Sequence, residues 1–285
     1  MEVKAIGVLG AGAMGGGIAQ VAAQAGYRVK ICDVDMKFVD RAMGRIDGFL
    51  SKSVEKGKLS QDEKAAIMGR ITPSAGMEDF ADVGLVIEAV IEDLQVKKDA
   101  FANLDRICRP EAVLATNTSS MSVTVIASAT RRPEKVAGMH FFNPPPLMRL
   151  VEIIRGYQTA DETVRMLMEV AGKMGKTGVE VRKDSPGFVV NRILIAQFLE
   201  AIRLVEEGVA TPQDVDTAVK LGLNYPMGPF ELQDFTGVDI GYFVANYFYD
   251  EFKDIRWNPP QALRSLIRAG RLGRKTGAGW YDYEK

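Results

Sequence analysis

Residues 3–33 read VKAIGVLGAGAMGGGIAQVAAQAGYRVKICD, and this stretch decides the fold of the first half of the chain. A short apolar run leads into a glycine-rich segment at residues 10–15. Small and apolar residues then recur at helical spacing, and a second apolar run, RVKIC, ends before Asp33. The sequence therefore predicts a strand, a glycine turn, a helix and a second strand that is followed by an acidic residue.

This arrangement is typical of a dinucleotide-binding fold, in which each glycine has a physical role. Gly10 permits a tight turn, Gly12 lets the backbone approach a pyrophosphate, and Gly15 lets the helix lie close to the strand. Asp33 can accept hydrogen bonds from the adenosine ribose and repel a 2′-phosphate, which favours NAD over NADP. A glycine turn alone is often purely structural, but the flanking elements make the prediction specific. The candidate cofactor-binding residues here are Gly10, Gly12, Ala13, Met14, Gly15 and Asp33.

Strands and helices continue to alternate through the first half. Further strands are predicted near residues 83–90, 112–120, 135–142, 150–156 and 178–184, with helices near 93–108 and 161–175. The pattern predicts an α/β fold with a Rossmann-type, mostly parallel sheet, in which ligands bind at the carboxyl ends of the strands. Residues 35–70 interrupt it as a charged helical hairpin, whose second helix begins with a capping box at residues 60–63.

The second half is predicted to be all-α. Residues 183–187, KDSPG, indicate a linker, so we expect an NAD-binding domain at 1–184 and a helical substrate and dimerisation domain at 185–285. Helices are predicted at 188–207, from the cap Thr211 to residue 221, at 229–252 as one or two helices, and at 260–270. About a hundred residues of helix cannot bury all the aromatic side chains of this half. Part of that surface is therefore expected to meet another subunit.

Composition excludes several classes of protein. Lys and Arg number 36 against 37 Asp and Glu, a balance that argues against nucleic-acid binding. The first residues lack the pattern of a signal peptide, and no apolar run approaches the roughly 18 residues of a membrane span. The two cysteines offer neither a disulfide framework nor the spacing of metal ligands. We therefore expect a cytoplasmic protein without a metal.

His140 is the one histidine in the sequence, and it lies near the end of a predicted strand. The next strand carries Glu152 after a turn of three prolines, so the two side chains can lie side by side. A carboxylate bonded to one imidazole nitrogen fixes the tautomer and leaves the other nitrogen for proton transfer, as oxidation of an alcohol requires. The alternative is a structural histidine with Glu152 on the surface. The dinucleotide fold favours the catalytic interpretation.

Motifs along nearly the whole chain resemble the 3-hydroxyacyl-CoA dehydrogenase family, and in particular its bacterial 3-hydroxybutyryl-CoA dehydrogenase branch. They are GAGAMGGGIAQVAAQAG (10–26), IEAVIEDLQVKK (87–98), ATNTSSMSVTVIA (115–127), GMHFFNPPPLMRLVEII (138–154), DSPGFVVNRIL (184–194), GLNYPMGPFELQDFTGVDI (222–240) and GRKTGAGWYDY (273–283). The length resembles that of the stand-alone enzyme. Arg149 stands where many members carry lysine.

The resemblance implies a reaction and roles for particular residues. It implies interconversion of a (3S)-3-hydroxyacyl-CoA and its 3-oxoacyl-CoA with NAD, in fatty acid or butanoate metabolism. His140 would be the general base in oxidation and the general acid in reduction, with Glu152 as its partner. The remaining implied site residues are Ser119 and Asn191 for substrate, Ser119, Asn143, Glu92 and Lys97 for the cofactor, and Lys52 and Lys56 for the CoA phosphates. The family also implies a homodimer formed through the helical domain.

Each of these residues has a plainer interpretation. Ser119 could cap the next helix, Asn191 could be an ordinary helical residue, and the two lysines could be solvated. Two other functions also stay open: a β-hydroxyacid dehydrogenase that relies on a lysine, and a non-catalytic NAD-binding or structural protein. The His140 and Glu152 pair argues against both.

Overall fold

The computed structural model describes residues 3–283, and the chain divides into two compact units, the first ending at Ser185 and the second beginning at Pro186. In the first unit the strands are β1 (Ala5–Leu9), β2 (Arg28–Cys32), β3 (Ile71–Ser74), β4 (Leu85–Glu88), β5 (Val113–Thr116), β6 (Val136–Phe141), β7 (Leu150–Arg155) and β8 (Thr177–Val181). Its helices are α1 (Ala13–Gln24), α2 (Met36–Glu55), α3 (Gln61–Met68), α4 (Leu94–Ile107), α5 (Val123–Ala127) and α6 (Asp161–Lys173). The second unit contains α7 (Val190–Glu206), α8 (Pro212–Gly222), α9 (Pro229–Thr236), α10 (Val238–Phe252) and α11 (Gln261–Arg268).

The strands form one eight-stranded sheet in the order β3-β2-β1-β4-β5-β6-β7-β8. All neighbouring strands are parallel except β6 and β7, which are antiparallel. Every residue of β1, β4 and β5 is buried, as expected for strands covered on both faces. The predicted fold class, a Rossmann-type mostly parallel sheet followed by an all-α domain, is confirmed.

Alternate residues of the central strand enter two separate cores. Ile6 and Val8 pack with α1, α2, α3 and α6 on one face of the sheet, whereas Ala5 and Leu9 pack with α4 and α5 on the other. This two-residue period is that of an extended strand. Both faces of the sheet are therefore covered. Side chains of neighbouring strands can meet at the carboxyl ends of the strands, which form one edge of the sheet.

The helical hairpin forms as the sequence predicts. The Ser60 hydroxyl accepts a hydrogen bond from the amide of Glu63 at 3.1 Å, and the Glu63 carboxylate accepts one from the amide of Ser60 at 2.7 Å. This is the reciprocal capping box expected at the start of α3. The strand that follows, β3, was not predicted, because Pro73 interrupts its short apolar run. Proline is tolerated there because β3 lies at the edge of the sheet.

The second unit consists of helices around one apolar core. Thr211 caps α8 by accepting a hydrogen bond from the amide of Asp214, with Pro212 at the first helical position, as predicted. Residues 229–252 form two helices, divided at Gly237 with φ of 108°. Buried Asp234 accepts hydrogen bonds from the amides of Trp280 and Tyr281, so the turn-rich tail is anchored to α9. None of the helices described is both long and apolar enough to cross a membrane.

Candidate active site

Two glycines of the turn at the carboxyl end of β1 have no room for a side chain, whereas a Cβ on Gly12 would meet nothing within 4 Å. Gly10 has φ of 100°, and a Cβ there would lie 2.4 Å from the carbonyl oxygen of Ala89. A Cβ on Gly15 would lie 1.8 Å from the carbonyl oxygen of Gly10. Helix α1 begins at Ala13, and its N-cap, Gly12, makes no side-chain hydrogen bond to the first amides. The first turn of α1 can therefore offer its amides to an anion.

Asp33 directly follows β2 and holds this turn in place. One carboxylate oxygen accepts a hydrogen bond from the amide of Ala11 at 2.6 Å, and the other accepts one from the amide of Val34 at 2.7 Å. The guanidinium group of Arg45 donates to the carbonyl of Ala11 at 2.8 Å. Asp33 thus supports the glycine turn, a contact that the sequence analysis did not foresee because it considered only the ribose.

His140 and Glu152 face each other across the antiparallel pair β6 and β7. The imidazole Nδ1 lies 2.8 Å from a carboxylate oxygen of Glu152. The two residues are 5% and 0% exposed. In this environment the carboxylate orients the ring and favours the tautomer with a proton on Nδ1, which leaves Nε2 to exchange a proton with a ligand.

Asn117 fixes the end of β6 on the other side and was missed at the sequence level. Its side-chain oxygen accepts a hydrogen bond from the backbone amide of Phe141 at 2.8 Å. Its backbone amide donates a hydrogen bond to the backbone carbonyl of Glu88, also at 2.8 Å. The pairing of β5 with β6 ends at Thr116 and Gly138. The Asn117 side chain continues the hydrogen bonding between the two segments beyond that point. An asparagine that directly follows a buried strand is the sequence signal that could have found it.

A buried group of charges lies at the ends of β4 and β5. The Lys97 ammonium lies 2.8 Å from a carboxylate oxygen of Glu88 and 3.1 Å from one of Glu92. The other Glu88 oxygen accepts a hydrogen bond from the Thr116 hydroxyl at 2.7 Å. Lys97 is 1% exposed, so its contacts are with these two carboxylates. We call Glu88, Lys97 and Glu92 the ion triad.

Glu92 is the exposed member of the ion triad and connects it to the loop after β5. One of its oxygens accepts hydrogen bonds from the Thr118 hydroxyl and, at 3.0 Å, from the amide of Ser119. Burial raises the pKa of Glu92, but the Lys97 charge and these hydrogen bonds outweigh it and lower the pKa below its usual value. Glu92 is therefore a carboxylate at neutral pH, and Ser119 is held beside it.

The remaining candidate residues are Ser119, Asn143, Lys52, Lys56 and Asn191. Ser119 does not cap α5, because Ser122 does so by accepting a hydrogen bond from the amide of Val125. Asn143 is exposed in the turn between β6 and β7. The last candidates are Lys52 and Lys56, which are exposed at the carboxyl end of α2, and Asn191, which lies in the first turn of α7 in the second unit.

Comparison with known families gives matches to both units. The family model described as 3-hydroxyacyl-CoA dehydrogenase, NAD binding domain, matches residues 5–185. The model described as 3-hydroxyacyl-CoA dehydrogenase, C-terminal domain, matches residues 187–283. The glycine turn, Asp33 and the His140 and Glu152 pair all lie within the first match.

Individual relatives match over almost their whole length. A probable 3-hydroxybutyryl-CoA dehydrogenase from Deinococcus radiodurans is 50% identical over 97% of this chain and 99% of its own. A 3-hydroxybutyryl-CoA dehydrogenase from Clostridioides difficile is 44% identical over 98% of this chain and 99% of its own. The crystal structure of the (S)-3-hydroxybutyryl-CoA dehydrogenase from Ralstonia eutropha is 40% identical, with a TM-score of 0.97 over 100% of both chains.

The ion triad leads to a prediction about stability. Lys97→Met removes the cation between two carboxylates and leaves fully buried Glu88 without a counter-charge. We expect a loss of roughly 3–5 kcal/mol in the free energy of unfolding, measured by urea denaturation followed by circular dichroism. The double variant Glu88→Gln/Lys97→Met removes both buried charges and should recover a large part of the loss.

The matched control is Lys98→Met, the neighbouring lysine on α4, which forms no ion pair among those described and should change stability by less than about 1 kcal/mol. Equal losses in Lys97→Met and Lys98→Met would contradict the importance of the buried pair.

Proposed function

The chain belongs to the 3-hydroxyacyl-CoA dehydrogenase family, and from this premise we propose that it interconverts (3S)-3-hydroxybutanoyl-CoA and acetoacetyl-CoA. It is an NAD-dependent oxidoreductase that acts on hydroxyacyl-CoA, because both of its units match that family. The choice of a four-carbon acyl chain is supported by the names of the relatives from Clostridioides difficile and Ralstonia eutropha.

The observation that carries the proposal is the buried contact between His140 and Glu152. Oxidation of a secondary alcohol requires removal of the proton from the hydroxyl oxygen while hydride leaves the carbon that bears this hydroxyl. With Nδ1 hydrogen-bonded to Glu152, Nε2 of His140 can accept that proton. The Glu152 carboxylate stabilises the imidazolium that results. In the direction of reduction, the same imidazolium returns the proton to the oxygen on C3.

NAD, when bound, supplies the hydride acceptor or donor. The residues present fit it. The first turn of α1 can bind the pyrophosphate, because its amides have no side-chain cap and the space in front of Gly12 is open. Asp33, at the end of β2, suits an unphosphorylated ribose. We place Glu92, Lys97, Ser119 and Asn143 on the nicotinamide side of the same site.

We propose that Ser119 and Asn191 bind the acyl-CoA near its C3 oxygen and thioester. Ser119 is supported by its position, since its amide is anchored by Glu92 at the carboxyl edge of the sheet. Lys52 and Lys56 are exposed and lie one helical turn apart, so both can reach a flexible polyanion such as the CoA phosphates.

We further propose a homodimer formed through the helical unit, working in the cytoplasm in fatty acid or butanoate metabolism. Apolar side chains of the second unit remain exposed, among them Ile193, Leu221, Phe235, Ile240 and Phe243. Exposed apolar area of this kind is typical of a surface that a second subunit covers.

The first test is turnover of acetoacetyl-CoA, followed as the loss of NADH absorbance. We expect rapid oxidation of NADH by the wild type. His140→Gln should lower kcat by about a hundredfold or more, because proton transfer is lost while the shape of the site is kept. Glu152→Gln should lower it by roughly tenfold or more, since an amide does not stabilise the imidazolium as a carboxylate does.

Glu162→Gln, an exposed change on α6, is the control and should leave kcat unchanged. Turnover of His140→Gln close to the wild-type value would contradict the proton-transfer role. A folded wild type that binds NADH but does not turn over acetoacetyl-CoA would favour the non-catalytic alternative. Turnover of a free hydroxy acid alone would favour the β-hydroxyacid alternative.

Asp33→Asn tests the selection of NAD. Asparagine keeps an acceptor for the amide of Ala11 but removes the charge that repels a 2′-phosphate. We expect the ratio of kcat/KM for NADH to that for NADPH to fall by about tenfold. Asp35→Asn, which removes a charge two residues away, should change the ratio far less. An equal loss with both cofactors would show that Asp33 only supports the glycine turn.

The dimer is tested by sedimentation velocity. Phe243 is 63% exposed on α10, and Phe243→Glu should convert a dimer into a monomer because it places a charge in an apolar interface. Tyr157→Glu, at a 90% exposed aromatic residue of the first unit, is the matched control and should leave the dimer intact. A monomeric wild type would contradict this part of the proposal.

A further inference from the structure

The ion triad carries a formal charge of −1, because Lys97 balances only one of its two carboxylates. Glu88 is fully buried, and its oxygens also accept hydrogen bonds from the Thr116 hydroxyl and, at 2.8 Å, from the amide of Val90. Together with Lys97, these donors give both oxygens of the buried carboxylate a partner. Lys97 and the hydrogen bonds from Thr118 and Ser119 lower the pKa of Glu92, and Lys97 is held between the two carboxylates. The excess formal charge therefore lies at one place in the fold, at the ends of β4 and β5.

The order of the strands places this charge relative to the cofactor. The glycine turn follows β1, and Asp33 follows β2, the neighbour of β1 on one side. The ion triad begins at the end of β4, the neighbour of β1 on the other side. A dinucleotide with its pyrophosphate on α1 and its adenosine ribose at Asp33 extends across the ends of the strands toward β4 and β5. The nicotinamide half therefore lies on the side of the ion triad.

The two redox states of the cofactor differ in charge in that half of the molecule. The nicotinamide ring carries a positive charge in NAD+ and is neutral in NADH, whereas the phosphates and the adenosine half are the same in both. A fixed negative charge beside the ring stabilises only the oxidised form. An isolated structural ion pair, with a net charge of zero, would not distinguish them.

We propose that the ion triad sets the relative affinity of this enzyme for NAD+ and NADH, in favour of NAD+. Glu88 supplies the uncompensated charge, because without it Lys97 and Glu92 form a neutral pair. Glu92, the exposed member, presents the charge toward the cofactor. Glu88 is thus a determinant of cofactor redox state that acts through Lys97 and Glu92. The inference rests on NAD binding as described under the proposed function.

The test measures binding rather than turnover. The dissociation constant of NADH is measured from its own fluorescence, and that of NAD+ by competition, for the wild type, Glu88→Gln and Glu92→Gln. Glutamine keeps a hydrogen-bond acceptor at each position and removes one negative charge. We expect the ratio of Kd for NAD+ to Kd for NADH to rise by about three- to tenfold in each variant.

Glu162→Gln removes a negative charge from exposed α6 and is the control, with the ratio expected to stay at the wild-type value. If both redox forms bind more weakly by the same factor, the ion triad only shapes the site and the inference is overturned. If Glu88→Gln does not fold, Glu92→Gln decides the question alone, since Glu92 is partly exposed.

A wild type that binds neither form overturns the proposed function as well as the inference. A wild type that binds both, with no change of ratio in the variants, overturns the inference alone.

Discussion

The antiparallel pairing of β6 with β7 is the constraint on which the proposed chemistry of this protein depends. It sets the register that places His140 directly opposite Glu152, with Nδ1 2.8 Å from the carboxylate. A slip of one residue would turn one of the two side chains to the other face of the sheet. Asn117 fixes the β5 side of the same strand through the amide of Phe141. The register is therefore held from both neighbouring strands, and the imidazole is oriented before any ligand binds.

Acidic side chains recur at the carboxyl edge of the sheet, and each is compensated differently. Asp33 accepts two backbone amides, Glu152 has the imidazole, and Glu88 and Glu92 share Lys97. A buried carboxylate without such partners would be strongly destabilising. The amides at the start of α1 provide the opposite polarity, which suits phosphates. The edge thus separates a region rich in backbone amides, where we propose that the pyrophosphate binds, from a region rich in carboxylates, where we propose that the nicotinamide binds.

The sequence predicted the features that depend on local pattern. The glycine turn, the capping box at Ser60 and the apolar runs of the central strands all follow from residue types at fixed spacing, and each forms as expected. The contacts of Asn117, and the burial of Lys97 between two carboxylates, depend on which strands become neighbours, and spacing along the chain does not reveal that. Likewise β3 was missed because Pro73 is tolerated only at an edge, and the strand order defines the edge. The roles assigned to the candidate site residues stay predictions: His140, Glu152, Asp33, Glu92, Lys97, Ser119, Asn143, Asn191, Lys52 and Lys56, and the glycine turn with Ala13 and Met14.

The proposed chemistry requires that Glu152 fix the tautomer of His140 and leave Nε2 to carry the proton. Because the sequence holds one histidine, protein labelled with ¹⁵N-histidine and prepared without a histidine tag gives a single imidazole spectrum. For the neutral imidazole of the free enzyme, we predict a proton on Nδ1, an unprotonated Nε2, and loss of this preference in Glu152→Gln. An imidazole protonated on Nε2 alone, or a spectrum that Glu152→Gln does not change, would contradict the account.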